Sequence, residues 1–567
     1  MKKILVRNPE IKDYFPNLRL SNFTKSILFN LGLNEKQATE FINVQDNEFE
    51  EPLRIYGIEK AAKVINKYIK ENKKIIIHGD FDVDGVCAST ILWDYLYFVR
   101  HADTFPIIPN RADEGYGLSE KTIRKAIDMG GDVIITVDCG IKDAEIVERF
   151  KKKIDFVITD HHQFLTDEKG NIVLPKAKAV VHSAHPKSKF SCMISGAATA
   201  WQLVRAIELL REDKDSMQKV EIEDYIDLVA ISTVCDIIPL TAENRKFVLK
   251  GIEKVKEKKR IGLLELINIS QIDHGNIQSY HFGFVLGPRL NAPGRVLNDA
   301  MHSMRLLSTR NTTQAKELAN KLNSLNLERQ KLTKLYLEKS EKQIDLSKKA
   351  IIVIGENWPE GILGLIAGKL AEKHFRPVFV ASIDESGKIT GSSRSPIDTF
   401  YIDKALEYAK DHLTRFGGHK MAAGFASQKE MFEGFENRIL EFIEQNTKNE
   451  DFERKLIADL EIKDFNEITF EIIEELQLLE PFGLGNPKPI FLIQNAEIQN
   501  INTFGKDGNH IRLNIFHSQT NMTTKAFNRA ESFKHLKIGQ RVNLLGHLSI
   551  NEWNNQKNIE IDIVDIL

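Results

Sequence analysis

Within residues 73–90, KKIIIHGDFDVDGVCAST, the aspartates Asp80, Asp82 and Asp84 stand two apart behind the apolar run Ile75, Ile76 and Ile77. Carboxylates crowded in this way repel one another, so a bound cation is the expected counter-charge. Three further stretches carry the same residue types, TVDCG at 136–140, TDHH at 159–162 and TVCDIIPL at 233–240, and each is read as the end of an apolar strand. Hard carboxylates with imidazoles suit Mn²⁺ or Mg²⁺, and the lack of clustered thiols argues against a softer site. Two ions about 3.5–4 Å apart, sharing one carboxylate, would clamp the attacking and leaving oxygens of a phosphoryl transfer. Singly, each signal has an ordinary rival. An Asp after a strand is more often a helix cap, and a lone His such as His182 or His185 is more often structural. Four such motifs together point to metal.

The elements that must position these groups are legible around them. KKIIIHGD, DVIITVDCG, DFVITDHH and KAVVHS are short β runs, each followed by polar or helical sequence. That alternation predicts a parallel sheet in an α/β domain, with ligands beyond the carboxyl ends of the strands. Residues 311–347 carry leucines at helical spacing without Pro or Gly and predict one long helix linking two domains. A second α/β pattern starts at KKAIIVIGENWPEGILGLIAGKLAEKHFRPVFVAS. After QNTKNEDFER come about five strand-like runs with a short helical piece, which fit a small barrel of the OB type. Residues 1–50 read as short helices and loops with no legible chemistry.

Composition sets outer limits. A chain of 567 residues, 42% hydrophobic and 28% charged, predicts a globular protein of two to four domains. The start, MKKILVRNPEIKDYF, has charge but no apolar core of a leader, and no run approaches a membrane span, so a cytoplasmic protein without membrane contact is expected. Cys87, Cys139, Cys192 and Cys235 are far apart and suggest neither disulfides nor a structural zinc site. Net charge is −2, so any nucleic-acid contact must come from local arrangement of Lys and Arg. The basic run at 254–260 reads more simply as a solvated helix face.

The series HGDFDVDG, TVDCG, DHH and CDIIPL resembles the four motifs of the DHH phosphoesterase superfamily. Within it, GPRLNAPGR (287–295), GSSRS (391–395), GGHKMAAGF (417–425) and EPFGLGNPKPIF (480–491) resemble the RecJ exonucleases. The resemblance implies two α/β domains, DHH and DHH-associated, joined by a long helix around a groove, plus a C-terminal OB-fold barrel. The corresponding boundaries are an N-terminal extension at 1–50, a DHH catalytic domain at 51–310, the connecting helix at 311–347, a DHH-associated domain at 348–447 and the barrel at 448–567. Small departures, such as Phe81 where Tyr is common and Cys235 before the metal-binding Asp, remove no ligand.

Carried over residue by residue, the resemblance implies that His78, Asp82 and Asp138 hold one divalent ion, Mn²⁺ or Mg²⁺. Asp84, Asp138, His161 and Asp236 would hold a second, with Asp138 bridging. Asp160 would orient His161, His162 would contact phosphate or donate a proton, and Asp80 would act from behind the ligands or position water. Arg111, Ser392 and Arg394 would form a pocket for a terminal 5′-phosphate, Arg289 would contact the backbone near the scissile bond, and His419 would close the site. The implied activity is 5′-to-3′ hydrolysis of single-stranded DNA to mononucleotides in recombination and repair, by a monomer working with a helicase and a single-strand-binding protein. A short-oligonucleotide phosphodiesterase and a non-catalytic nucleic-acid scaffold are the alternatives. Phe504, Phe516, Phe527 and Trp553 are available in the barrel for base stacking, with core packing an equal reading.

Overall fold

The computed structural model describes residues 3–7, 10–44, 47–110, 114–212, 221–553 and 556–567. They form two compact units, 48–452 and a second made of 1–47 with 453–567.

The first unit contains a five-stranded parallel sheet in the order Thr104–Ile107, Ile75–His78, Val133–Val137, Asp155–Thr159, Ala179–Val181. The inner strands are largely apolar because both faces are covered. Ile75, Ile77, Val133, Ile135, Val137 and Val157 enter one core with the helices Ile58–Lys70, Val83–Asp94, Gly196–Leu209 and Ile226–Cys235. Ile76, Ile134, Phe156 and Ile158 enter another with Ile123 and Val147. Register pairs His78 with Thr136, Val137 with Thr159, and Thr159 with Val181. The carboxyl ends of neighbouring strands are therefore level, and the residues after them emerge at one edge.

Helix Thr312–Glu341 is 30 residues long, about 45 Å at 1.5 Å per residue. It ends short of the span expected from sequence, followed by a turn at Lys342 and Gln343. Ala319 and Leu322 pack into the first core, while Leu332, Tyr336 and Leu337 pack beside Trp358. That second core belongs to another five-stranded sheet, ordered Arg415–His419, Ala422–Gln428, Lys388–Arg394, Val378–Ile383, Ile351–Glu356, in which only the last two strands are parallel. Helix Glu360–His374 covers one face.

In the second unit, Phe491–Phe504, His510–His517, Thr520–Ala526, Gln556–Ile566 and Arg541–Trp553 pair in succession, and the last pairs back with the first. This closes the expected five-stranded barrel and leaves it without a free edge. The N-terminal residues form the helices Asn22–Asn30 and Glu35–Ile42 and also a strand, Lys3–Val6, parallel to Lys455–Ala458. Phe23 stacks on Phe491 at 5.2 Å, so the N-terminal segment shares the barrel's core. Phe504, His510 and Phe527 form a ring cluster, with Phe527 55% exposed and the Arg512 guanidinium 5.4 Å from the Phe504 ring. The side chain of Trp553 lies outside the described residues. No helix among the described residues is long and apolar enough to cross a membrane.

Candidate metal centre

Seven acidic and histidine side chains from the four motifs converge beyond the carboxyl edge of the parallel sheet. Asp80, Asp82 and Asp138 bring one carboxylate oxygen each within 4.8 Å of one another; so do the ligand atoms of Asp84, His161 and Asp236, and those of Asp138, His161 and His162. His161 Nε2 lies 2.9 Å from Asp138 Oδ1, 3.4 Å from Asp84 Oδ2 and 3.5 Å from Asp236 Oδ2. Asp138 thus stands in the first acid group and, through His161, against the second, the position of a shared carboxylate.

Each side chain is placed by local structure. Asp82 caps helix Val83–Asp94, its Oδ1 accepting from Gly85 N–H at 3.0 Å. Asp84, in the first turn, turns inward: Oδ2 accepts from Gly196 N–H and Oδ1 from Ala197 N–H, both at 2.7 Å, and Ser232 Oγ donates to Oδ1 at 2.5 Å. The start of helix Gly196–Leu209 thereby holds this buried carboxylate, as helix N-termini hold anions. A Cβ on Gly196 would sit 2.6 Å from Asp138 Cβ, so only glycine permits this approach. Asp138 has φ of +63°, a conformation rare for a side-chain-bearing residue and tolerated best by Asn and Asp. It is the cost of turning its carboxylate into the cluster.

The electrostatics fit a cation. Burial, then Asp84, Asp82 and Asp236, push the Asp138 carboxyl well above the usual range. Burial with Asp84 and Asp82 pushes Asp236 up to about 9, and burial with Asp84 raises Asp82. Burial lowers His161, and lowers His78 to about 4, which keeps both imidazoles neutral and able to ligate. His78 is fully buried; one ring nitrogen meets Gly117 O at 3.3 Å, and Nδ1 has no hydrogen-bond partner. A buried orphaned imidazole nitrogen beside crowded carboxylates is the donor set a hard divalent ion requires.

Three expectations change. Asp236 follows helix Ile226–Cys235 as its C-cap and does not end a strand. Asp160 does not orient the His161 ring: Oδ1 accepts from the main-chain N–H of His161 at 2.7 Å and of His162 at 3.0 Å, and from His162 Nδ1 at 2.8 Å, while Oδ2 accepts from Ile141 N–H at 2.9 Å. Burial opposes the charge of Asp160, but these donors win and hold it at about 2. Burial disfavours charge on His162 too, and the bond to Asp160 outweighs it, raising its pKa. Asp80, expected behind the ligands or positioning water, stands with Asp82 and Asp138 in a group able to hold an ion, whereas the His78 nitrogens fall outside all three groups.

Other expected residues are spread over both α/β parts. Ser392 and Arg394 share the half-buried face of strand Lys388–Arg394, with Arg394 Nη1 donating to Ser392 Oγ at 3.1 Å. His419 ends the exposed edge strand Arg415–His419, close enough to Lys142 and His162 for their charges, after burial, to lower its pKa. Arg289 Nε donates to Asn323 Oδ1 on the long helix at 3.0 Å. Arg111 lies outside the described residues. Sequence reasoning missed Tyr116, whose hydroxyl donates to Asp138 O at 3.2 Å and sits 2.9 Å from His162 Nδ1. It also missed Ser232 and the Gly196–Ala197 amides. The only local signal was Ser195, a helix cap preceding two small residues.

The N-terminal domain model of the DHH family matches residues 74–233, the DHHA1 domain model 347–449 and the RecJ OB domain model 458–565. The single-stranded-DNA-specific exonuclease RecJ of Bacillus subtilis is 32% identical over 562 residues, covering 98% of this chain and 69% of that protein. The protein of the same name from Thermus thermophilus is 32% identical over 516 residues, 91% of this chain and 71% of its own. The crystal structure of RecJ in complex with Mn²⁺ from Thermus thermophilus superposes with a TM-score of 0.83 at 27% identity, covering 100% of this chain and 79% of that one. The chain belongs to the RecJ family.

Proposed function

We propose that the protein is a metal-dependent exonuclease that hydrolyses phosphodiester bonds of single-stranded DNA from a 5′-phosphorylated end, releasing 5′-mononucleotides in recombination and repair. The observation that carries this reading is the pair of ligand groups, Asp80/Asp82/Asp138 and Asp84/His161/Asp236, linked where Asp138 Oδ1 lies 2.9 Å from His161 Nε2. Membership of the RecJ family and its relatives' names support the choice of single-stranded DNA.

Asp80, Asp82 and Asp138 would hold one divalent ion, Mn²⁺ or Mg²⁺, and Asp84, His161 and Asp236 a second, with Asp138 shared from its place beside His161 and His78 adding its orphaned nitrogen. Bound there, they would acidify water near neutral pH and offset charge on the phosphate. The chain's own residues do the rest. Helix Gly196–Leu209 and Ser232 fix Asp84, so its carboxylate cannot rotate away. Asp160 accepts the proton on His162 Nδ1, which leaves Nε2 as the atom that exchanges a proton with substrate. Ser392 and Arg394 seat the terminal 5′-phosphate through the planar fork of arginine, and His419 closes over the site. The closed barrel guides the strand through backbone charge and stacking. The chain acts as a monomer, supplied with single strands by a helicase and a single-strand-binding protein.

The test is incubation of 5′-phosphorylated single-stranded and duplex oligonucleotides with the protein and Mn²⁺ or Mg²⁺. Mononucleotides are expected from the single strand alone, and equal digestion of both sinks the reading.

A further inference from the structure

The basic run at 254–260 does more than face solvent. Helix Ala242–Lys256 ends within it, and Lys254, Lys258, Lys259 and Arg260 line, with Arg310, a cavity of about 290 Å³. Val99, Val255, Leu263, Leu264, Ile267 and Leu307 give it apolar walls, and Asp94, Glu221, Asp224 and Asp227 stand among the five cations. Most of the cations are held by these acids. Arg260 grips Asp227 through Nε at 2.6 Å and Nη2 at 3.1 Å, and Lys254 and Lys259 meet Asp224 at 3.0 and 3.1 Å. Two cations are left short. Among the described residues no acid pairs with Lys258, and Arg310 Nη2 lies 3.5 Å from Asp94 Oδ1, longer than an ordinary charge-assisted bond. The Arg310 guanidinium lies instead over the Phe98 ring, 3.7 Å from its centroid, with the side chain 61% exposed. A planar cation backed by one ring takes a second planar group on its other face.

We propose that this cavity binds a nucleoside 5′-monophosphate, the product of the proposed hydrolysis, at a site separate from the metal centre. Lys258 supplies the cation for the phosphate, and Arg310 with the apolar walls supplies the surface for the base. The volume stands at the lower end of the range for small-ligand pockets, about 300–1,000 Å³, which suits one nucleotide and excludes a strand. Position gives the occupant a consequence. Asp94 ends helix Val83–Asp94, whose first turn carries Asp84 about 15 Å away. Asp227 stands in the first turn of helix Ile226–Cys235, which delivers Asp236 about 14 Å away. Both helices are buried along nearly their whole length, so each transmits a displacement as a packed rod. An anion that draws Arg310 from Asp94 and Arg260 from Asp227 therefore shifts the far ends of both helices. Product bound here lowers turnover without entering the metal centre. The choice of a mononucleotide rests on the exonuclease reading, whereas its binding can be measured without activity.

The test is calorimetric titration of the full chain with thymidine 5′-monophosphate in EDTA, in an Arg394→Ala background that removes the proposed seat for the terminal phosphate. One site should remain. Adding Lys258→Gln or Arg310→Gln should weaken it about tenfold or more, and thymidine or inorganic phosphate alone should bind at least about tenfold more weakly than the nucleotide. In digestion by the chain with Arg394 intact, added thymidine 5′-monophosphate should lower kcat. Lys258→Gln, an exposed change, should leave digestion without product unchanged and reduce the inhibition to a rise in KM, the mark of competition at the metal centre. No binding in the Arg394→Ala background, binding that ignores both substitutions, inorganic phosphate bound as tightly as the nucleotide, or inhibition confined to KM overturns the site. Binding as described without any digestion overturns the exonuclease reading and supports the site.

Discussion

Gly196→Ala is the sharpest single perturbation of the proposed centre. On helix propensity alone, Ala should stabilise the start of helix Gly196–Leu209 by up to about 1 kcal/mol. The added methyl, however, would lie 2.6 Å from Asp138 Cβ, 2.9 Å from Cγ and 3.0 Å from Oδ1. Distances this short cannot persist, and neither partner has room: Asp138 is fixed at φ of +63°, and the Gly196 amide is bound to Asp84 at 2.7 Å. Overpacking of this kind costs about 1–3 kcal/mol, which exceeds the propensity gain. Relief by a shift of the helix would move the donors of Asp84 and the carboxylate of Asp138 together, so both ligand groups suffer. Disturbing the supports of metal ligands typically lowers affinity about 10–100-fold. Calorimetric titration with Mn²⁺, alongside thermal denaturation of the metal-free protein, measures both effects. A variant as stable as wild type or more so, with unchanged Mn²⁺ affinity, would refute the claim that this close approach positions Asp138.

Asp138→Asn keeps a residue that tolerates positive φ while removing a charge that lies in one ligand group and against His161 of the other; Mn²⁺ affinity should fall by at least about 100-fold and activity should vanish, with the fold intact by circular dichroism. In the metal-free protein, Asp236, at about 9, and the raised Asp82 and Asp138 bind protons more tightly folded than unfolded. Their stabilisation is complete below the unfolded carboxylate pKa and is lost as pH rises toward 9, so the melting temperature should fall from about pH 5 to about pH 8, and Mn²⁺ should restore more at the higher pH. Asp160→Asn replaces an acceptor of four N–H groups with an amide that must present its own N–H to one of them; denaturant titration should show a loss of about 2–4 kcal/mol. Arg394→Ala should narrow the rate difference between 5′-phosphorylated and 5′-hydroxyl single strands, read from single-turnover digestion.

Much of the metal centre was legible because parallel strands buried on both faces are written as unbroken apolar runs, and the level register of such strands delivers whatever follows them to one edge. Thus His78, Asp138 and His161 could be grouped from Ile75–Ile77, Val133–Val137 and Asp155–Thr159 alone. Asp236 was grouped correctly but on the wrong element, since a short apolar stretch such as IDLVAISTVC reads equally as a buried helix or a strand. The interactions that hold the ligands were not legible. Asp84 meets Gly196 and Ser232 across 112 and 148 residues, and Tyr116 reaches His162 across 46, with no periodicity to announce the pairing. The same is true of strand Lys3–Val6, whose partner strand begins at Lys455. Asp80 shows the limit of reading by resemblance: motif position left it either behind the ligands or positioning water, while the turn before helix Val83–Asp94 brings its carboxylate beside Asp82 and Asp138.

The central claim, that the two acid groups meeting at Asp138 bind the ions that drive hydrolysis of single-stranded DNA, is tested most directly by one titration. Digestion of a 5′-phosphorylated single strand, with a matched duplex as control, is followed as Mn²⁺ is added to metal-free wild type and to Asp138→Asn. The account predicts mononucleotide release from the single strand by the wild type only, rising with bound Mn²⁺ and abolished by EDTA. Mononucleotide release by Asp138→Asn at the wild-type rate, or by the wild type in EDTA, would contradict it.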